Sequence, residues 1–173
     1  MRRALAALAV WAMAAACSPP PATVMSQAAA PEESPEAVVQ QVYTTAADAY
    51  ARGEIPYDYV PMSDSLSAAM AEGARLAEAR NEPFIEGDLA TGCQDCANLT
   101  DLELTTPEPA ADGRAVVDAF FLIDDEPRQM RFVLIETEQG WRVDNISNAE
   151  GYDLRAAVAR YASEPEVSPA SAD

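Results

Sequence analysis

Ala115-Val116-Val117-Asp118-Ala119-Phe120-Phe121-Leu122-Ile123 decides the fold. Nine residues rich in β-branched and aromatic side chains, with only Asp118 charged, read as a strand rather than a helix. Met130 to Thr137 has the same character, and Asp124 to Arg128, with Pro127, reads as the turn between the two. Downstream, Gln139-Gly140 signals a tight hairpin turn. Trp141-Arg142-Val143-Asp144-Asn145-Ile146 then alternates as a half-buried strand does. Leu99 to Thr105 and Phe84 to Leu89 read as shorter strands upstream.

Helical patterns flank this block. Ser34-Pro35-Glu36 caps, starts and charges a helix N-terminus, and Val39, Val42, Tyr43, Ala46 and Tyr50 follow at helical spacing up to Gly53. A second helix opens near Ser63-Asp64-Ser65. Its stripe is Leu66, Ala69, Met70, Gly73, Leu76 and Ala77, and Pro83 bars its continuation. Gly73 in mid-helix points to a close neighbour. A last helix is expected from Tyr152 to Tyr161, with Leu154, Val158 and Tyr161 on one side. Helices first and strands after predict α+β: a curved antiparallel sheet of about four strands packed against N-terminal helices, with a short C-terminal helix.

The N-terminus reads as an export signal. Met1-Arg2-Arg3 is followed by an apolar run, Ala4 to Ala16, too short to span a bilayer. Residues 1–16 are therefore expected to be a signal peptide and 17–34 a Pro/Ala/Ser-rich flexible tether. The domain is expected at 35–162, with a disordered tail at 163–173. Cys17 sits directly after Ala14-Ala15-Ala16. This arrangement resembles the lipobox of bacterial lipoproteins, although Ala14 stands where leucine is usual. Acylation of Cys17 and a soluble periplasmic form cut near the same point are both open. Three cysteines leave one over once Cys93 and Cys96 pair, and the odd one stands at the acylation position. Ser18 after it leans toward the outer membrane of a bacterial envelope, facing the periplasm.

Charge and composition exclude whole classes of function. The chain has 11 basic residues against 29 acidic ones and a net charge of −18. All the basic residues are arginine, and Arg2 and Arg3 belong to the leader. So negative a surface disfavours nucleic acid and anionic lipid, so any membrane contact is expected through a lipid anchor alone. With no histidine in the chain, Ser-His-Asp, Cys-His and histidine metal sites are ruled out. Cys93-Gln94-Asp95-Cys96 is expected to be a disulfide, two thiols being short of a zinc set. Asp124-Asp125-Glu126 lacks the spacing of a calcium loop. Neither a metal nor a cofactor is expected. Tyr57 and Tyr59, between prolines, are expected on the domain rim.

The order of elements resembles the nuclear-transport-factor-two-like superfamily, whose common ending Gly140-Trp141-Arg142-Val143-Asp144-Asn145-Ile146 looks like. Ser63-Asp64-Ser65-Leu66, Pro83-Phe84-Ile85-Glu86-Gly87-Asp88 and Gln94-Asp95 look like a branch of uncharacterised bacterial lipoproteins with a domain of unknown function. The resemblance implies a cone whose pocket takes a small ligand or whose sheet takes a partner, including a second copy in a homodimer. Some enzymes of that cone isomerise or hydrate small molecules with aspartate and tyrosine. The alternative expectation is thus an acid-base enzyme whose pocket gathers Tyr43, Tyr50, Asp118 and Asp144. Against it stands the reading that both aspartates face solvent or pair with Arg131 or Arg142 across the sheet. The leading expectation is a non-enzymatic domain that binds a small ligand or an envelope protein.

Overall fold

The computed structural model describes residues 34–54, 58–85, 87–94 and 96–163. The chain divides into two units, Met1–Ala30 and Pro31–Asp173, and every described residue belongs to the second. The expected signal peptide, Cys17 and nearly all of the tether and tail lie outside the described residues.

Helix α1 spans Pro35–Tyr50. The Ser34 hydroxyl caps it by accepting from the Ala37 N–H, and Pro35 occupies the first turn. Helix α2 spans Asp64–Arg80, capped by the Ser63 hydroxyl, and ends on Asn81 in the left-handed conformation. Four strands follow: β1 (Leu99–Thr105), β2 (Arg114–Ile123), β3 (Glu126–Thr137) and β4 (Gly140–Ser147). They form one antiparallel meander in the order β1-β2-β3-β4. The expected pairing of the Trp141 strand with the Phe132 strand is present, with Leu134 opposite Val143 and Phe132 opposite Ile146. Helix α3, Leu154–Ser163, lies two residues later at each end than its expected span and takes in the first residue of the expected tail. The architecture is the α+β one that the sequence predicts.

Alternation along the strands splits the sheet into two faces. Ala115, Val117, Ala119, Phe121 and Ile123 of β2 join Met130, Phe132 and Leu134 of β3 and Val143 and Ile146 of β4 in the core. Val38, Val39, Val42, Tyr43, Ala46 and Tyr50 of α1 lie against them, with Leu66, Leu154 and Val158. Tyr43 packs its ring on Phe121 and Phe132, at 4.9 and 5.9 Å between centroids. Each such large apolar side chain contributes about 1.5–3 kcal/mol by leaving water.

Two expected features differ. Phe84–Leu89 is no strand among its described residues. Phe84 packs edge-to-face on Tyr161 at 5.4 Å, and its ring fills the space beside Gly73, so this ring seats α2 against α3, while Ile85 and Leu89 pack against the core. Pro127 lies within β3 rather than in the turn. Asp124 and Asp125 alone make the reversal, both at positive φ (50° and 68°), as a primed two-residue hairpin requires. In contrast, Glu138 and Gln139 keep negative φ and Gly140 takes 92°, the arrangement of a type I turn closed by a glycine bulge.

Beyond the meander, the Ser63 N–H donates to the Val143 carbonyl and the Val143 N–H to the Pro61 carbonyl, both at 2.8 Å. The segment entering α2 thereby covers the outer edge of β4 as a parallel bridge at Met62. Strand β1, bulged at Asp101 (φ 53°), is the opposite edge.

Candidate functional site

The polar heart of the domain is a turn that packs on α1. Asp88, 5% exposed, accepts from the Ala90 N–H at 2.9 Å and the Thr91 N–H at 3.0 Å. The Thr91 hydroxyl donates to the same oxygen at 3.1 Å. The Gly92 N–H closes the turn on the Asp88 carbonyl, and the Asp88 N–H donates to the Cys93 carbonyl. An aspartate whose side chain bonds the backbone two and three residues on is the expected turn chemistry. Cys93 and Cys96 are joined by a disulfide, as the sequence predicts.

Three tyrosines hold this turn in place. Tyr59 donates to the Asp88 carboxylate and Tyr43 to the Ala90 carbonyl, the latter at 2.9 Å. Tyr50 meets the Thr91 hydroxyl at 2.9 Å. Since the Thr91 proton serves Asp88, Tyr50 is the donor there. Burial raises the pKa of Tyr43, Tyr50 and Tyr59, and the Asp88 charge pushes each further up. Tyr152, nearby, is pushed up to about 12 by burial, then by Asp153 and Asp88. Tyr59 is held neutral as a donor to the buried Asp88 carboxylate, and Tyr43 and Tyr50 as donors to the Ala90 carbonyl and the Thr91 hydroxyl of the same turn.

The structure does not bring together the four residues of the alternative, enzymatic expectation. Tyr43 and Tyr50 share the Asp88 cluster, but Asp118 and Asp144 stand apart from it, each bound by an arginine. Asp118, 6% exposed, lies on the outward face of β2 and receives both Nε and Nη2 of Arg131, its cross-strand partner, at 2.7 and 2.8 Å. That is the cross-strand pairing that the sequence sets against an enzymatic aspartate. Asp144 pairs with Arg155 of α3, not with Arg142, which donates to the Trp141 carbonyl instead. Ser63, at 2.7 Å, and Ser65 also donate to Asp144. Burial raises the Asp144 pKa, but the bonds from Ser63, Arg155 and Ser65 outweigh it and hold the carboxyl below its ordinary value. Neither Asp118 nor Asp144 therefore faces open space beside a tyrosine. Tyr59 is tied inward to Asp88 rather than free at the rim, and Tyr57 lies outside the described residues.

Sequence reasoning passed over Asp88, the carboxylate that does meet tyrosines. Its signal was present: Gly87-Asp88 followed by Ala90-Thr91-Gly92 is an aspartate-led turn, and three tyrosines lie upstream at 43, 50 and 59. Among the described residues, no group of histidine, cysteine, aspartate and glutamate has the arrangement to hold a metal ion.

Among the described residues, two surface depressions bear on binding. A notch of about 360 Å³ opens where β4 ends, between Thr91-Gly92, the β3 segment Pro127–Met130, and Asn148–Glu150, with Phe120 at its lip. A shallower groove of about 270 Å³ runs between α1 and β1, bounded by Gln40, Thr44, Asp48 and Asp101. The outward face of the sheet carries Val116, Phe120, Leu122, Val133 and Ile135, none of which joins the core. Phe120, 38% exposed, is a large apolar side chain open to solvent.

No protein-family model matches the chain. No curated protein matches it either. Among solved structures it is similar to a phospholipid-binding protein from Ralstonia solanacearum, determined in complex with a phospholipid. The identity is 15% and the TM-score 0.37, over 75% of this chain and 74% of that one, a similarity at which neither fold family nor ligand transfers. Fold and site together define an α+β domain with a packed core and, on the opposite face of its sheet, apolar side chains that are partly exposed.

Proposed function

We propose that this chain is an exported, lipid-anchored domain of the bacterial envelope that acts by binding a protein, including a second copy of itself, rather than by chemistry. One observation carries the binding part. The interior is packed shut by Tyr43, Phe121, Met130 and Phe132, while Val116, Phe120, Leu122, Val133 and Ile135 lie on the sheet face opposite the helices. Apolar side chains gathered on one outward sheet face of a small domain, with Phe120 open to solvent, are a feature of association surfaces. The Asp118–Arg131 pair at its centre supplies a fixed polar mark for register. A small-ligand or isomerase reading has less support, because among the described residues Tyr43, Phe121, Met130 and Phe132 fill the core, and the two aspartates an isomerase would use are held by arginines. The resemblance to uncharacterised lipoproteins of the nuclear-transport-factor-two-like superfamily, acylation at Cys17 and the periplasmic address belong to this proposal.

Sedimentation velocity over a concentration series tests the binding part. The expected result is self-association that strengthens as salt screens the net charge of −18 and that Val133→Glu abolishes without loss of folding. A chain that stays monomeric and is indifferent to Val133→Glu would sink the self-association form of the reading. Mass spectrometry of the mature N-terminus checks the anchor: a diacylated or triacylated Cys17 is expected, and an unmodified N-terminus would remove the lipid from the account.

A further inference from the structure

We infer that the notch at the end of β4 takes an extended, basic segment of a partner protein, added to the free edge of β3 as a short strand. This names a partner for the association reading above and rests on it. The pairing of β3 with β4 ends at Arg131 opposite Ser147, whereas β3 begins at Glu126. Residues 126–130 are therefore paired with β2 alone, and their other edge faces the notch. On this edge Gln129 presents its N–H and carbonyl, and Pro127, which has no N–H, presents a carbonyl alone, so an extended peptide finds one donor and two acceptors at strand spacing, which a compact small molecule does not match. The walls are already ordered. Thr91 and Gly92 belong to the turn fixed by Asp88, and Asn148 accepts from the Glu150 and Tyr152 N–H groups. The exposed Phe120 ring lies across from Gln129 and offers an apolar stop for one side chain.

Charge selects the kind of peptide. Arg128 at the notch is already paired with Glu126 at 3.2 Å. The carboxylate of Glu150, also in the lining, makes no ion pair among the described residues. The chain as a whole carries −18, so a cationic segment is drawn in and an anionic one is repelled.

The test is a titration of the ¹⁵N-labelled protein with an acetylated, amidated hexapeptide of alternating lysine and valine. A glutamate–valine hexapeptide and a lysine–valine hexapeptide N-methylated along one edge serve as controls. Amide shifts should concentrate at Gly92, Arg128, Gln129, Met130 and Glu150. N-methylation should abolish them, and Glu150→Gln should weaken binding about two- to fivefold, the worth of one exposed ion pair. No binding, equal binding of the N-methylated peptide, or shifts spread over the acidic helices would each overturn the proposal. The Val133→Glu variant separates the two readings. Self-association lost in that variant, with no peptide binding by the parent chain, defeats this inference alone. Peptide binding with no association at any concentration defeats the self-association reading alone.

Discussion

The Tyr59 hydroxyl lies 2.6 Å from both carboxylate oxygens of Asp88, so one phenol bridges a buried anion. A carboxylate withdrawn from water needs its lone pairs occupied, and a donor taken away leaves part of its desolvation cost uncompensated. Tyr59→Phe should therefore lower stability by about 1–3 kcal/mol in urea unfolding. Asp88→Ala should cost more, because it also frees the Ala90 and Thr91 N–H groups and releases the turn that Tyr43 and Tyr50 grip. A loss under 0.5 kcal/mol for Tyr59→Phe, about what a surface change costs, would mean that water replaces the phenol freely and that the cluster is not sealed.

The same cluster sets the alkaline limit. Tyr43, Tyr50 and Tyr59 all ionise in the folded chain well above their ordinary value, chiefly through burial. In the unfolded chain they ionise near pH 10. Above that pH the unfolded state binds fewer protons than the native one, so stability falls as pH rises and is fully present below pH 10. Ultraviolet difference titration should show these phenols ionising together with loss of near-ultraviolet dichroism, in one cooperative step. Gradual ionisation near pH 10 with the fold intact would contradict their burial.

The strands were legible because each carries its own pattern. Ala115–Ile123 and Trp141–Ile146 need no partner to be recognised, and Ser34 and Ser63 announce their helices by capping. The positions of Phe84, Pro127 and Asp88 were less legible, for separate reasons. Pro127 resembles a turn residue, yet Asp124-Asp125 had already made the turn, and beyond β4 the free edge of β3 tolerates a residue without an N–H. Phe84–Leu89 is apolar like a strand, but Phe84 serves the contact between α2 and α3, and Ile85 and Leu89 pack against the core. The site was the hardest part. Whether Asp118 or Asp144 meets a tyrosine or an arginine depends on β3 register and on where α3 returns, and neither is encoded near those aspartates. Arg155, the partner of Asp144, lies on an element that no strand pattern places.

Asp144 and Arg155 tie the entry of α2, the middle of β4 and the first turn of α3 into one knot through Ser63 and Ser65. The Asp144 carboxyl is held below its ordinary value, so its contribution is present above pH ~4, the unfolded value, and is lost as pH falls through the folded one. Asp144→Asn should cost about 1–2 kcal/mol at neutral pH and flatten the acid limb of the stability curve. Chemical unfolding at a series of pH values measures both, and an unchanged acid limb would assign it to other carboxylates.

Gly73 offers a prediction in which the sign changes with background. A Cβ built there would lie 2.0 Å from Cζ of Phe84 and 2.2 Å from its Cε2, inside contact distance. Gly73→Ala must therefore expel the Phe84 ring from its place against Tyr161, an overpacking cost of about 1–3 kcal/mol. Alanine is also the better helix former by about 1 kcal/mol. Once Phe84 is cut back to alanine the clash is gone and only the propensity remains. Gly73→Ala should then destabilise the parent chain but stabilise the Phe84→Ala variant, giving a coupling of about 1–3 kcal/mol, the overpacking cost itself, in a double-mutant cycle. Thermal unfolding of the four proteins reads it directly. Gly73→Ala stabilising both backgrounds would show that the ring swings aside at little cost and that the glycine is merely tolerated.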